Sequence, residues 1–403
     1  MSLLHLLILI VSFLSYADIN RYLERGNIEK VIVEALRDRE KKEALFVLKA
    51  LADTLVNEEI PGYIKRYVKG ALAEKEGNIK KALDHYVDSI YLRSDYNPSY
   101  YRLNELIRKY ENPELYRRKI KNILKVRFSK TPPVLIENPD NKYVILVEKM
   151  SQYLFVYKGK RLVDLYPVTT GMAWEDKWKE GDKRTPEGIY FFTEYIDVSK
   201  LPPLYGNFAV ALNYPNPYDR LLGKTGSGIW LHGSDVDNRN NIPFSTRGCV
   251  VADNRDLEIL RRYIKLYNTP IAIYKVIPSA IKVSDIKSFI YAWKEAWEKR
   301  DIKKFISFYS EKFRWRGGGI RSWERYKRRT ILGKKYINVR IKDLTIIAFN
   351  RYDKQDVLYY VAEFYQIYRS NSYNDEGIKR LYIANDKGKL KIISEEFIMN
   401  REE

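Results

Sequence analysis

The chain has 403 residues, with 72 Lys and Arg against 52 Asp and Glu for a net charge of +20, 45% hydrophobic residues, one cysteine and three histidines. The length fits two or three domains and the apolar fraction is ample for burying cores, which excludes a disordered or collagen-like chain. A single cysteine excludes a disulfide scaffold and a cysteine-built zinc site, and the charge points to a polyanionic partner without bearing on the fold.

Leu3 to Leu14 form an apolar run, followed by Ser15-Tyr16-Ala17 and a charged stretch from Asp18. Residues 1–17 therefore read as a cleaved secretory signal, because spanning a bilayer takes about 20 apolar residues. No Lys or Arg precedes the run, so an uncleaved anchor is the alternative. Export places the protein in the periplasm or cell envelope and argues against nucleic acid as the partner. It also leaves an unpaired thiol in an oxidising compartment, where it is buried and inert, paired between molecules, or reactive.

Residues 18–128 read as helical. Ile28, Val31, Ile32 and Leu36 recur on one helix face, and Pro61-Gly62, Gly77-Asn78 and Asn97-Pro98 divide the region into pieces of helix-hairpin length. Gly70, Gly77, Ala82, Tyr86 and Pro98 nearly match the small, turn and aromatic positions of one tetratricopeptide (TPR) unit, although Pro98 falls late. Two organisations remain open: a peptide-binding solenoid, or an irregular bundle packing on a second copy or on the next domain.

The period changes at Thr131-Pro132-Pro133, since consecutive prolines end a helix. Residues 129–278 then read as a β-rich domain. Its strand-like runs are Tyr143–Val147, Tyr153–Tyr157, Ile189–Phe192, Phe208–Leu212 and Gly228–Leu231. The intervening loop from Gly171 to Thr185, carrying Trp174 and Trp178, is either a lid or a surface loop. In residues 279–403, Ile290, Trp293, Trp297, Ile302, Phe305 and Tyr309 mark amphipathic helices. Strands follow at Ile337–Ile341, Leu344–Phe349, Val357–Tyr368, Lys379–Ile383 and Leu390–Ile393, with a hairpin turn at Asp386-Lys387-Gly388, so this part is α+β. Residues 281–403 carry 28 Lys and Arg against 17 Asp and Glu, just over half of the net excess. The basic residues cluster at Arg314, Arg316, Arg321, Arg325, Lys327, Arg328 and Arg329, either as a solvated face or as contacts for an anionic ligand.

Cys249 lies 17 residues after His232, the one histidine of the β-rich region. Both stand in turn-rich sequence, and a helix is predicted to start near Asp253 or Asn254. An imidazole, an arginine and a helix N-terminus each favour a thiolate, and Gly248 lets the backbone turn so that successive N–H groups face an oxyanion. The bland alternative is an inert buried cysteine beside a hydrogen-bonded histidine.

Taken together, His232-Gly233, Thr246-Arg247-Gly248-Cys249-Val250, and then Asn254 and Asp256 resemble the catalytic signature of the L,D-transpeptidase family, with its YkuD-type catalytic domain. Gln152-Tyr153-Leu154, Val168-Thr169-Thr170-Gly171 and Thr185-Pro186-Glu187-Gly188 resemble the family's first hairpin and its Thr-Pro-x-Gly turn, so the likeness runs from Tyr143 to Ile277. One departure is Arg247, where many members have His.

The resemblance implies that Cys249 attacks the bond before the terminal D-alanine of a peptidoglycan stem peptide, with His232 as base and no cofactor. It further implies that backbone N–H groups of Gly248 and Cys249 hold the oxyanion and that Gly233 and Ser234 orient His232. Arg247, Ser234, Thr246, Asn254 and Trp174 are the expected substrate contacts; Arg247 would pair with a substrate carboxylate or favour the thiolate. Trp293, Trp297, Asp301, Phe305, Tyr309, Phe313, Trp323, Phe364–Ser370, Tyr373 and Lys379 resemble an NTF2-like domain.

The fold expected is thus multidomain: an α-helical, TPR-like N-terminal domain, a β-rich L,D-transpeptidase catalytic domain and an α+β NTF2-like C-terminal domain. This order is similar to that of cell-shape L,D-carboxypeptidases of helical bacteria. The similarity implies trimming of tetrapeptides to tripeptides and a homodimer through the N-terminal helical domain, while the basic cluster is what suggests an unknown anionic ligand or wall contact for the C-terminal domain. Cross-linking by the same thioester and a non-catalytic wall scaffold are the alternatives.

Overall fold

The computed structural model describes residues 61–109, 113–237, 239–315, 318–350 and 357–399, with positions 45, 48, 49, 51 and 52. The expected signal at residues 1–17, the apolar positions Ile28, Val31, Ile32 and Leu36, and Arg316 lie outside the described residues. The chain divides into two compact units between Arg127 and Phe128.

In the first unit, helices α1 (Gly62–Lys75), α2 (Ile79–Leu92), α3 (Asn97–Lys109) and α4 (Pro113–Arg127) succeed one another. Asn78 starts α2 by accepting a hydrogen bond from the Lys81 N–H at 3.2 Å, an N-cap satisfying one of the unpaired donors of the first turn. Tyr86 is fully buried against Gly70. Its hydroxyl donates to Glu74 at 2.9 Å, and Glu74 also pairs with Arg102 of α3.

The second unit opens with β1 (Leu135–Glu137), β2 (Tyr143–Glu148), β3 (Tyr153–Lys158), β4 (Arg161–Thr169), β5 (Gly188–Tyr195) and β6 (Ala209–Leu212). After the short helix α5 (Pro217–Leu221) come β7 (Trp230–His232), β8 (Val250–Ala252), helix α6 (Asn254–Leu260) and β9 (Pro270–Tyr274). Eight of these strands close a barrel in the order β2-β3-β4-β8-β7-β6-β5-β9. Alternate residues fill it: Ile145, Val147, Leu154, Val156, Leu231, Val250, Ile271 and Ile273 meet inside.

The remainder comprises α7 (Ile286–Glu298), α8 (Ile302–Ser307), the ribbon β10 (Arg314–Trp315) and β11 (Gly318–Gly319), and α9 (Ile320–Leu332). The long strands β12 (Ile337–Asn350), β13 (Val357–Ser370), β14 (Asn374–Asp386) and β15 (Lys389–Met399) follow. The two strands expected at Ile337–Ile341 and Leu344–Phe349 are one strand, interrupted by a register shift between Lys342 and Thr345 where Asp343 adopts a φ of 54°. A β-bulge thus produced the apparent break.

This sheet runs β1-β12-β13-β14-β15, so a strand preceding the barrel in sequence belongs to the sheet that follows it. Ile346, Ala348, Tyr360, Ala362 and Phe364 face α7, α8 and α9. The alternate residues face the barrel: Tyr359 accepts from the Ile189 N–H at 2.8 Å, and Tyr274 donates to the Ala348 carbonyl at 2.7 Å. Between the two layers Glu363 takes both Lys142 and Arg380, each at 2.6 Å, and the Arg380 guanidinium lies 3.4 Å from the Phe191 ring centre.

Candidate active site

Strands β7 and β8 run parallel, with Leu231 beside Val250 and His232 beside Val251. Leu231 and Val250 point into the barrel, so Trp230, His232 and Val251 turn to its outer face, and Cys249 is the residue immediately before β8. Cys249 thus leads into the strand that pairs with the one His232 ends, which brings the two residues to neighbouring strands.

His232 is buried, and its ring lies 4.9 Å from that of Tyr205. Nδ1 is 2.7 Å from the Gly233 carbonyl oxygen. A carbonyl only accepts, so Nδ1 carries the proton and Nε2 keeps its lone pair. Burial brings the imidazole down to about 4; the Gly233 carbonyl opposes this and Arg239 adds to it. The ring is a neutral base at ordinary pH.

Cys249 is half-buried, and its thiol donates to the Gly228 carbonyl at 3.5 Å. Burial pushes the thiol up, offset in part by the Trp230 N–H directed at sulfur and by the charges of Lys177 and Arg239. The resting pair is therefore thiol and neutral imidazole. This corrects the expectation of a thiolate favoured by Arg247 and a helix N-terminus. Arg247 is exposed, and α6 starts beyond β8, whose three residues separate its N-terminus from the sulfur.

Thr246 fastens the turn before the nucleophile. Its hydroxyl donates to the Cys249 carbonyl at 2.7 Å and accepts from the Gly248 N–H at 3.1 Å. The Gly248 N–H, expected to face an oxyanion, is thus engaged by Thr246. Thr185 holds the same turn from the other side, donating to the Gly248 carbonyl at 2.9 Å. Gly248 has φ 135° and leaves no room for a Cβ, which would lie 2.8 Å from the Arg184 oxygen.

Asn254, expected to touch substrate, instead clamps the loop after His232. Its Nδ2 donates to the Ser234 carbonyl at 2.7 Å and its Oδ1 accepts from the Ser234 N–H at 3.3 Å. Ser234 is itself buried, its hydroxyl accepting from the Val236 N–H at 3.2 Å. Trp174 packs beneath the Lys275 ammonium, 4.0 Å from its ring centre.

The loop from Gly171 to Thr185 is tied down and does not hang free as a lid. Asp182 accepts from the N–H groups of Trp178, Lys179 and Arg184 and from the Lys177 ammonium, which hold its carboxyl at about 2. Fully buried Lys149 bonds the Glu175 and Thr185 carbonyls at 2.8 and 2.9 Å. Trp178, 46% exposed, accepts the Thr225 N–H at its carbonyl. That contact ties the loop to the Thr225–Gly228 segment whose last carbonyl meets the thiol. Neither Lys177 nor Arg239 stood out in the sequence, because each lies in a polar loop that no motif covers.

A separate cavity of about 700 Å³ opens in the C-terminal part, lined by Trp297, Trp323, Lys327, Gln366, Asp375 and Lys379 among others. Within the basic cluster, Arg321, Arg325, Arg328 and Arg329 are exposed and Lys327 turns inward. Its ammonium sits 4.5 and 4.6 Å from the ring centres of Trp297 and Trp323. Burial brings it down to about 8, Lys379 adding to the effect while Glu395 and Asp375 oppose it.

A closed barrel with Cys249 and His232 at neighbouring strands, followed by a helix-backed sheet with its own cavity, defines a two-part architecture. Residues 142–273 match the profile of the L,D-transpeptidase catalytic domain, and residues 285–396 that of the Cds6 C-terminal NTF2-like domain. Bd1075 of Bdellovibrio bacteriovorus is 32% identical and superposes with a TM-score of 0.56, covering 68% of this chain and 99% of its own. The helical cell shape determining protein Pgp2 of Campylobacter jejuni is 28% identical with a TM-score of 0.53, over 68% and 98% of the two chains. YafK of Escherichia coli K12, which carries the name of an L,D-transpeptidase, is 23% identical over 167 residues, or 36% of this chain. That match spans 62% of the length of YafK. The chain belongs to the L,D-transpeptidase family and carries an NTF2-like domain at its C-terminal end.

Proposed function

We propose that the protein is an exported peptidoglycan L,D-carboxypeptidase that trims tetrapeptide stems and thereby acts on wall structure and cell shape. One observation carries the reading: the cysteine leads into a strand that runs parallel to the one ending in His232, whose Nδ1 meets the Gly233 carbonyl. Similarity to a cell shape determining protein over 98% of that protein's length supports the direction of the effect.

In this reading His232 Nε2 takes the thiol proton as Cys249 Sγ attacks the carbonyl carbon of the third residue. The tetrahedral intermediate collapses, the C–N bond breaks, and the imidazolium gives its proton to the departing D-alanine amine. Water, deprotonated by the same Nε2, then opens the thioester and regenerates the thiol. The balance is tetrapeptide plus water to tripeptide plus D-alanine. We assign the C-terminal cavity to an anionic ligand, with Lys327 supplying the charge.

The test is incubation of the full chain and of Cys249→Ala with tetrapeptide muropeptides, read by chromatography and mass. Tripeptide and D-alanine from the wild-type protein alone are expected. Cross-linked dimers would make it a transpeptidase, and identical profiles from both proteins would leave a scaffold.

A further inference from the structure

The chain between the base and the nucleophile is itself a built structure. After His232 it turns at Arg239–Asn241, where the Ile242 N–H returns to the Arg239 carbonyl at 3.0 Å and Asn240 donates to the Pro167 carbonyl at 3.2 Å. The Arg239 side chain then folds forward, Nη2 donating to the Ser245 carbonyl at 3.3 Å. Ser245 is the residue before Thr246, whose hydroxyl fixes the nucleophile, so the guanidinium is moored to the cysteine turn.

Two cations act on the sulfur, Lys177 and Arg239. They differ in what neutralises them. Lys177 is buried and paired with Asp182 at 2.9 Å. Arg239 is half-buried and moored through a neutral carbonyl, and no carboxylate among the described residues pairs with it. A planar guanidinium moored on the Ser245 carbonyl, at the start of the turn that carries the nucleophile, fits a carboxylate, which it can take through two parallel N–H bonds.

We infer that Arg239 is a specificity-determining residue that holds the free carboxylate of the substrate's terminal D-alanine, confining the enzyme to stems that end one residue beyond the cleaved bond. This rests on the carboxypeptidase reading. The terminal carboxylate is the only charge on the leaving group that every such stem has in common, and it lies one residue from the carbonyl that Cys249 attacks. Arg247, the neighbour expected to fill this role, is in solvent.

Two measurements on the full chain test it. The first is the rate of Cys249 alkylation by iodoacetate relative to iodoacetamide, which differ in charge at similar size; the single cysteine makes the adduct unambiguous by mass. Arg239→Gln is expected to lower that ratio about tenfold, the scale of one charge-assisted contact. Arg239→Lys should keep most of the ratio, and Arg247→Gln should leave it unchanged. The second is KM for a tetrapeptide against its C-terminal amide: the wild-type preference for the acid should vanish in Arg239→Gln through KM. An unchanged ratio in Arg239→Gln, or a ratio that moves only in Arg247→Gln, overturns the assignment. If the ratio responds to Arg239 while no tripeptide forms in the wild-type protein, the carboxylate subsite stands and the carboxypeptidase reading falls.

Discussion

The amide oxygen of Asn254 occupies the space a side chain on Gly233 would need: a Cβ there would lie 2.0 Å from Asn254 Oδ1. The glycine after the base and the asparagine of α6 are thus one fitted contact, and it fixes the carbonyl that sets the His232 tautomer. Gly233→Ala should drive Asn254 from the loop and misplace the ring. Tripeptide release should fall about a hundredfold, as small misplacements of reacting groups do, and stability by about 1–3 kcal/mol for overpacking. Full activity with altered stability alone would show that the loop needs no such clamp.

Thr246 makes two hydrogen bonds with one hydroxyl, to the residue before Cys249 and to Cys249 itself. Thr246→Val keeps the shape and removes both. Buried groups left unpaired cost about 1–3 kcal/mol each, so urea unfolding should shift to lower denaturant. Turnover should drop with little change in KM, and Thr246→Ser should recover most of both losses.

The low value of His232 gives a pH signature. With the imidazole at about 4, the acid limb of kcat/KM should be centred near pH 4, well below the ordinary histidine range. A limb between 6 and 7 would mean that the ring is solvated. Stability carries the opposite mark of the same burial. Between the ordinary histidine value of 6.5 and about 4 the unfolded chain binds a proton the folded chain refuses. Folding stability attributable to His232 should therefore decline as pH falls across that window.

Glu363 compensates two cations in the layer between the barrel and the C-terminal sheet. Glu363→Gln strands Lys142 and leaves Arg380 with Glu396, 3.5 Å away, and the Tyr267 carbonyl, whereas Arg380→Met leaves Glu363 paired with Lys142. Breaking a buried pair costs about 3–5 kcal/mol, so Glu363→Gln should be the more destabilising of the two in urea. The reverse order would mean that stacking of Arg380 on Phe191 outweighs the ion pairs.

Much of the site was legible because its chemistry demands rare residues. One cysteine and one histidine in the β-rich region narrowed the choice before any geometry. What stayed hidden depended on partners distant in sequence. Nothing local distinguishes an Asn254 that clamps Ser234 from one that touches substrate, or reveals that the Gly248 N–H already has an acceptor in Thr246. Arg239 was invisible because its importance comes from where its loop folds back. In the fold, β4 carries Asp164 and Pro167 within its length, which broke its pattern, and the bulge at Asp343 made β12 read as two strands. The helix N-terminus was located correctly, but the three-residue strand before it carries it away from the sulfur.

The position of β1 bears on how this protein can be dissected. Because Leu135–Glu137 completes the edge of a sheet whose other strands begin two hundred residues later, the chain enters the C-terminal layer, leaves it to build the barrel, and returns. No single cut separates the two. A truncation ending after the barrel would leave β1 without its neighbour and strip the cover from Tyr274 and Ile189, and a fragment starting after the barrel would lack an edge strand. Deletion studies of either half will report on folding as much as on function, and point substitutions are the sound way to divide the roles of the two.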